Sequence, residues 1–199
     1  MAQMPNLTPR SGSPLPIENN GAHGAVSVLE FCKQAGIPAM EVDSINSAES
    51  VRLLQEHKID LPVYAGAGIL KRPLIEAAPL GVLNAHMGLL PCYRGMNVAE
   101  WAAWNGDPVG CSVHLIDSGI DTGDILLVRE VDVAGGRNVG ELRKLVDESQ
   151  IELLGEVVRY VLKNGKLPPR RSQTASEGLQ YFGMHPVLVE ALNRRLAGA

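Results

Sequence analysis

The 199-residue sequence has little of what marks a membrane, secreted or nucleic-acid-binding chain. No apolar run approaches the roughly 20 residues that cross a bilayer, and the opening MAQMPNLTPRSGSPLPIENN has no apolar core of the kind a secretory signal carries. Cysteine is scarce: Cys32, Cys92 and Cys111 are odd in number, widely spaced and form no CxxC, which argues against a disulfide framework or a cysteine-based zinc site. Basic charge is also short, with a formal net charge of −4, so nothing supports a nucleic-acid or anionic-membrane surface. Neither GxGxxG nor a Walker loop is present, and Gly66-Ala67-Gly68 is a lone glycine pair. These absences point to a cytoplasmic protein with no metal.

What remains is ordinary globular composition, with 45% hydrophobic and 20% charged residues. At this length folding buries about 70% of the extended-chain surface, enough for a core that needs no staple. Residues 1–20 read as a polar, proline-broken arm, and residues 21–199 as one domain. Helices are expected over 25–35 (with Gly36 as its stop), from Asn46 to near Lys58, over 73–77, over 97–105 and from Asn138 to about Leu162, followed by a short one after Pro186. Short apolar strands are expected at 37–42, 61–66, 81–86, 111–116 and 125–133, with an irregular stretch or weak hairpin at 168–184. Alternation of these two kinds of element predicts an α/β fold: a doubly wound, mostly parallel sheet with helices on both faces.

Three polar residues stand out by placement. Asn84 and His86 lie two apart on an apolar strand, hence on one face at its C-terminal end, where open α/β sheets hold ligands. Asp121 lies in the loop Asp117-Ser-Gly-Ile-Asp-Thr-Gly123 after the next strand. An amide that donates to a developing oxyanion, an imidazole that moves protons near neutral pH and a carboxylate that orients it suit acyl transfer. Each has a plainer reading alone: a satisfied histidine at a strand end, an asparagine tying down a loop, an aspartate capping a turn. His114 reads as a core histidine with a backbone partner. Trp101 and Trp104 read as helix packing, and Cys92 as a passenger.

The segment N-x-H-x-x-L-L-P-x-Y-R-G at 84–95, followed by H-L-x-D-x-G-x-D-T-G-D-I-L at 114–126, resembles the formyltransferase family, which includes the glycinamide ribonucleotide, methionyl-tRNA and sugar N-formyltransferases. The resemblance covers residues 22–162, and Gln173 to Tyr181 is similar to the family's polar tail after the long helix. It implies a doubly wound α/β catalytic domain that transfers a formyl group from 10-formyltetrahydrofolate to an amine. It also implies that Asn84 steadies the oxyanion, His86 shuttles the proton, and Asp121 orients His86 and helps remove the amine proton. The folate pocket would lie between Tyr64, Gly68, Ile69 and Leu70 on one side and Ile116, Asp117, Ser118 and Gly119 on the other.

Two departures shape what is carried over. Family members open with a strand, a glycine- or serine-bearing turn and a helix, which this sequence lacks at its start. The expectation is therefore a shortened relative with an exposed sheet edge, covered by a second copy or a partner chain. There is also no room for a tRNA-binding barrel, so the expected acceptor is the amine of a small metabolite, such as an amino sugar. Hydrolysis of 10-formyltetrahydrofolate, with water in place of the amine, is an alternative reading. A weakly active or non-catalytic folate-binding module is another.

Overall fold

The computed structural model describes residues 27–198, and the arm expected over 1–20 lies outside them. The chain divides between Glu41 and Val42 into two units. The first contains α1 (Val28–Ala35), opened by the Ser27 hydroxyl accepting from the Glu30 N–H and closed by Gly36 in the left-handed conformation. The strand expected at 37–42 does not form. Pro38 can donate no ladder hydrogen bond, and so short an apolar run carries little strand information by itself.

The second unit runs α2 (Ala48–Glu56), β1 (Val63–Tyr64), α3 (Arg72–Glu76), β2 (Leu83–His86), β3 (Tyr93–Gly95), α4 (Val98–Asn105), β4 (Gly110–Leu115), β5 (Ile125–Glu130), α5 (Val139–Asn164), β6 (Leu179–Tyr181) and α6 (Pro186–Ala197). The cap of α2 is Ser47, one residue beyond the expected Asn46. Asn46 instead uses both ends of its amide on the loop after β1, donating to the Ile69 carbonyl (2.9 Å) and accepting from the Lys71 N–H (2.6 Å). The cap of α5 is as expected: Asn138 accepts from the Glu141 N–H (3.0 Å) and Gly165 closes the helix.

The main sheet has the order β1-β2-β4-β5. The α/β class holds, but the expected mostly parallel sheet does not: β1 runs parallel to β2, while β2–β4 and β4–β5 are antiparallel. Residues 116–124 between β4 and β5 form no helix, and a connection that short returns the chain antiparallel. A parallel partner needs a crossover of a dozen or more residues. Of the stretch at 168–184, expected to be irregular or a weak hairpin, most is irregular and no hairpin forms: β6 pairs parallel with β3 in a separate two-stranded sheet.

Alternation along β2 and β4 sorts the side chains into two populations. Leu83, Cys111, Val113 and Leu115 join Leu142, Val146, Leu153 and Val157 of α5 in the principal core. The intervening residues Asn84, His86, Ser112 and His114 take the other side of the ladder. Trp101 and Trp104 pack against the cluster of Val139, Met184 and Leu192, as expected of helix packing. Leu153 is 1% exposed at the centre of the α5 seam. Leu153→Ala should therefore lower unfolding free energy by about 2–5 kcal/mol, read from the urea midpoint; an unchanged midpoint would show that α5 is not the helix that seals this sheet.

Candidate active site

The polar side of β2 and β4 is assembled by register. Asn84 sits directly opposite His114, and His86 opposite Ser112. The Ser112 hydroxyl donates to the Gly88 carbonyl (2.7 Å) and accepts from the Leu90 N–H (3.0 Å), which fixes the chain as it leaves β2. That loop returns the Tyr93 carbonyl to within 2.9 Å of His86 Nε2. A carbonyl only accepts, so Nε2 carries the proton and Nδ1 is the nitrogen left for chemistry. On His114 the polarity is reversed. Nδ1 donates to the Leu115 carbonyl (2.8 Å), leaving Nε2 to face the Asn84 amide nitrogen at 3.0 Å and Asp121 Oδ1 at 3.4 Å.

Asp121 closes the group. Its Oδ2 lies 3.5 Å from His86 Nδ1 and accepts the Gly95 N–H at 2.8 Å. The loop that carries it is built from within. The Asp117 carboxylate accepts from the Gly119 N–H (3.0 Å) and the Thr122 hydroxyl (2.7 Å). Asp121 itself has φ +53°, a left-handed conformation uncommon outside glycine, though aspartate tolerates it better than most residues. At Gly123 a Cβ would stand 1.9 Å from the Leu115 carbonyl, so only glycine lets the loop leave β4 this closely.

Burial governs the electrostatics. It pushes the His86 pKa below the usual histidine value; the Asp121 carboxylate and the Tyr93 carbonyl pull the other way, and His114 adds to the lowering. Burial alone would raise the Asp121 carboxyl, but its interactions with His114, His86 and the Gly95 N–H outweigh it and hold it below the usual range. His86 is thus neutral and Asp121 ionised near pH 7. Both displacements make the folded state the weaker proton binder. Stability is therefore present at neutral pH and is lost as pH falls through the histidine and then the carboxylate range.

Two cavities meet at this group. Tyr64, Gly68, Ile69 and Leu70 form one wall of a cavity of about 410 Å³, and Ile116, Asp117, Ser118 and Gly119 form the other. All eight residues expected around folate thus line one space. Met96 and Ile120, which sequence reasoning missed, line it too, together with Asn84, His114 and Asp121. The Tyr64 hydroxyl donates to the Gly68 carbonyl (2.8 Å), so Tyr64 also shapes the wall it belongs to. His86 lies outside this lining. It opens instead on a neighbouring cavity of about 660 Å³, which shares Asn84 and Tyr64 and is bordered further out by Glu100, Arg143, Asp147 and Gln150. There Arg143 is already committed to the buried Glu100 carboxylate. Sequence reasoning also missed His114 as a member of the cluster. The backbone partner expected of it is present, and the register that sets it against Asn84 is the signal that strand composition alone does not carry.

Residues 18–158 match the formyl transferase family model, and the chain belongs to that family. It is 35% identical over 145 residues to a methionyl-tRNA formyltransferase of Ruminiclostridium cellulolyticum, covering 72% of this chain and 46% of that protein. It is also similar in structure to glycinamide ribonucleotide transformylase 1 from Symbiobacterium toebii, with TM-score 0.62, 28% identity and coverage of 73% and 74% of the two chains. The fold is shared too with a formyltransferase from Anoxybacillus kamchatkensis in complex with UDP-4,6-dideoxy-4-formamido-L-AltNAc and tetrahydrofolate. That likeness has TM-score 0.60, 22% identity and coverage of 76% and 78%. The chain spans about half the length of the curated relatives it matches.

The environment of His86 makes a directional prediction. Asp121→Asn removes the charge that opposes burial, so the His86 pKa should fall further below its ordinary value, measured by NMR titration of the imidazole. An unchanged or raised pKa would contradict the coupling.

Proposed function

We propose that this chain transfers a formyl group from 10-formyltetrahydrofolate to a primary amine. The observation that carries the reading is the convergence of Asn84, His86 and Asp121 where the two cavities meet. The 410 Å³ cavity suits a reduced folate. Ile69, Leu70 and Ile116 supply apolar wall, and the loop backbones supply polar groups near Asn84 and Asp121. When bound, the folate supplies an electrophilic formyl carbon and a nitrogen that leaves.

The chain's own residues divide the remaining work. Asn84 spends one amide hydrogen on His114 Nε2, which fixes its nitrogen inward and leaves the second hydrogen for an oxygen that gains charge as the amine adds. His86, held by Nε2 on the Tyr93 carbonyl, is neutral and can accept the acceptor's proton at Nδ1. The imidazolium so formed sits beside the Asp121 carboxylate, which stabilises it and fixes the ring. The proton then passes to the departing nitrogen. The amine enters from the 660 Å³ cavity that His86 borders.

A cavity of that size favours a small metabolite amine, such as an amino sugar. One observation favours a second reading. The curated relatives at 30–35% identity are methionyl-tRNA formyltransferases, which makes an aminoacyl-tRNA the competing acceptor.

The test offers 10-formyltetrahydrofolate with amino sugars, with methionyl-tRNA and with water alone, read as formylated product or free formate. Formylation of an amino sugar or other small amine is the expected result. Formylation of methionyl-tRNA alone would overturn the small-acceptor reading, and formate release without amine product would assign hydrolysis. Turnover should drop roughly a hundred- to ten-thousand-fold in His86→Ala with folding intact; unchanged turnover would remove His86 from the mechanism.

A further inference from the structure

The mechanism asks the Asp121 carboxylate to stay between two imidazoles from a backbone conformation that disfavours it. The loop's internal hydrogen bonds run from Asp117 to Gly119 and Thr122 and do not reach Asp121. The Gly95 N–H holds its carboxylate, and what holds its backbone carbonyl comes from about 50 residues further along the chain. Arg171 pairs with Ile125 through both backbone hydrogen bonds, each 2.9 Å, and lays the following residues along the Asp loop. There the Ser172 hydroxyl donates to the Asp124 carboxylate at 2.8 Å, and Arg170 lies 3.6 Å from its other oxygen. Gln173 goes deeper. Its amide nitrogen donates to the Asp121 carbonyl at 3.0 Å and to the Gly123 carbonyl at 2.6 Å. Both partners are carbonyls, so the amide can be oriented only one way round. Its Oε1 is buried and has no hydrogen-bond partner among the described residues. A buried acceptor left unpaired is costly, so placement of the nitrogen is satisfied at the expense of the oxygen.

We propose that Gln173 is the positioning residue for Asp121: by bridging the Asp121 and Gly123 carbonyls it holds the left-handed turn that aims the carboxylate at His86 and His114. It lines neither cavity, makes no hydrogen bond to either imidazole and acts through Asp121. Its consequence for turnover rests on the proposed formyl transfer; its consequence for the geometry does not.

The groups facing His86 are the Asp121 carboxylate, the His114 ring at 6.2 Å and the Tyr93 carbonyl. Those facing Asp121 are the two imidazoles and the Gly95 N–H. Releasing the turn withdraws the carboxylate, so in Gln173→Ala the His86 titration midpoint should fall, in the same direction as in Asp121→Asn and by less. Hydrogen exchange at the Gly95 N–H should quicken as its acceptor leaves. Where formyl transfer is measurable, turnover should drop roughly a hundredfold, the scale of a small misplacement of a catalytic group.

Gln173→Glu keeps the side chain's size but replaces the donor with an acceptor facing two carbonyls, and should show the same changes. Gln173→Lys restores donors and should recover part of the wild-type titration. An unmoved His86 titration and unmoved Gly95 exchange in a folded Gln173→Ala protein, or in Gln173→Glu should the alanine variant not fold, would overturn the proposal. Moved signals in a protein whose wild type transfers no formyl group would leave this assignment standing and defeat the proposed function instead.

Discussion

The site depends on one largely buried carboxylate. Asp121 lies between His86 and His114, and both rings have already spent one nitrogen on a backbone carbonyl. Burying an anion is unfavourable unless donors replace the lost water; here the Gly95 N–H is the donor, and the interactions with His114 and His86 further lower the carboxyl's pKa. The same carboxylate opposes the desolvation of His86. Four separate pieces of chain therefore share a single charge: β2, β4, the end of β3 and the loop before β5. Displacing Asp121 would loosen the Gly95 turn and strip His86 of its counter-charge, with His114 and Asn84 disturbed in sequence.

The sheet makes this arrangement possible by separating two environments across one layer of backbone. Apolar residues of β2 and β4 seal against α5, and of the alternating polar ones Asn84, His86 and His114 line the cavities. Antiparallel pairing of these strands matters here, because it brings Asn84 and His114 directly opposite each other, close enough for the amide to reach the ring. Loops then give the strand ends their function. The chain after β2 returns a carbonyl to His86, the chain after β4 delivers Asp121, and the chain after β1 forms a cavity wall pinned by Asn46 and Tyr64.

Much of the site was legible in the sequence because its information is local. Two residues on an alternating strand share a face whatever the strand pairs with, so Asn84 and His86 could be joined without a fold. Asp117 to Gly123 declares a tight loop through its own Asp and Gly residues, and Asn138 with Glu141 declares a helix start. What was not legible depends on pairing between distant segments. The spacing of strands could not tell antiparallel β4 from a parallel one, and with its register unknown His114 read as an ordinary core histidine. The strand expected at 37–42 rested on six residues with a proline among them. Gln173 shows the same limit from the other side: a polar residue in an irregular tail becomes meaningful only when Arg171 is seen to dock that tail on β5.

Family membership sets the chemistry against which this geometry is read, and the cavity beside Asn84 and Asp121 is where that reading is most exposed. The most direct measurement is a calorimetric titration of tetrahydrofolate into the wild-type chain and into Ile69→Asp, which places a charge on an exposed apolar wall residue of the cavity. The expected result is saturable one-to-one binding by the wild type and clear weakening in the variant. No heat from the wild type, or equal affinity in the two proteins, would contradict the assignment of this cavity to the folate.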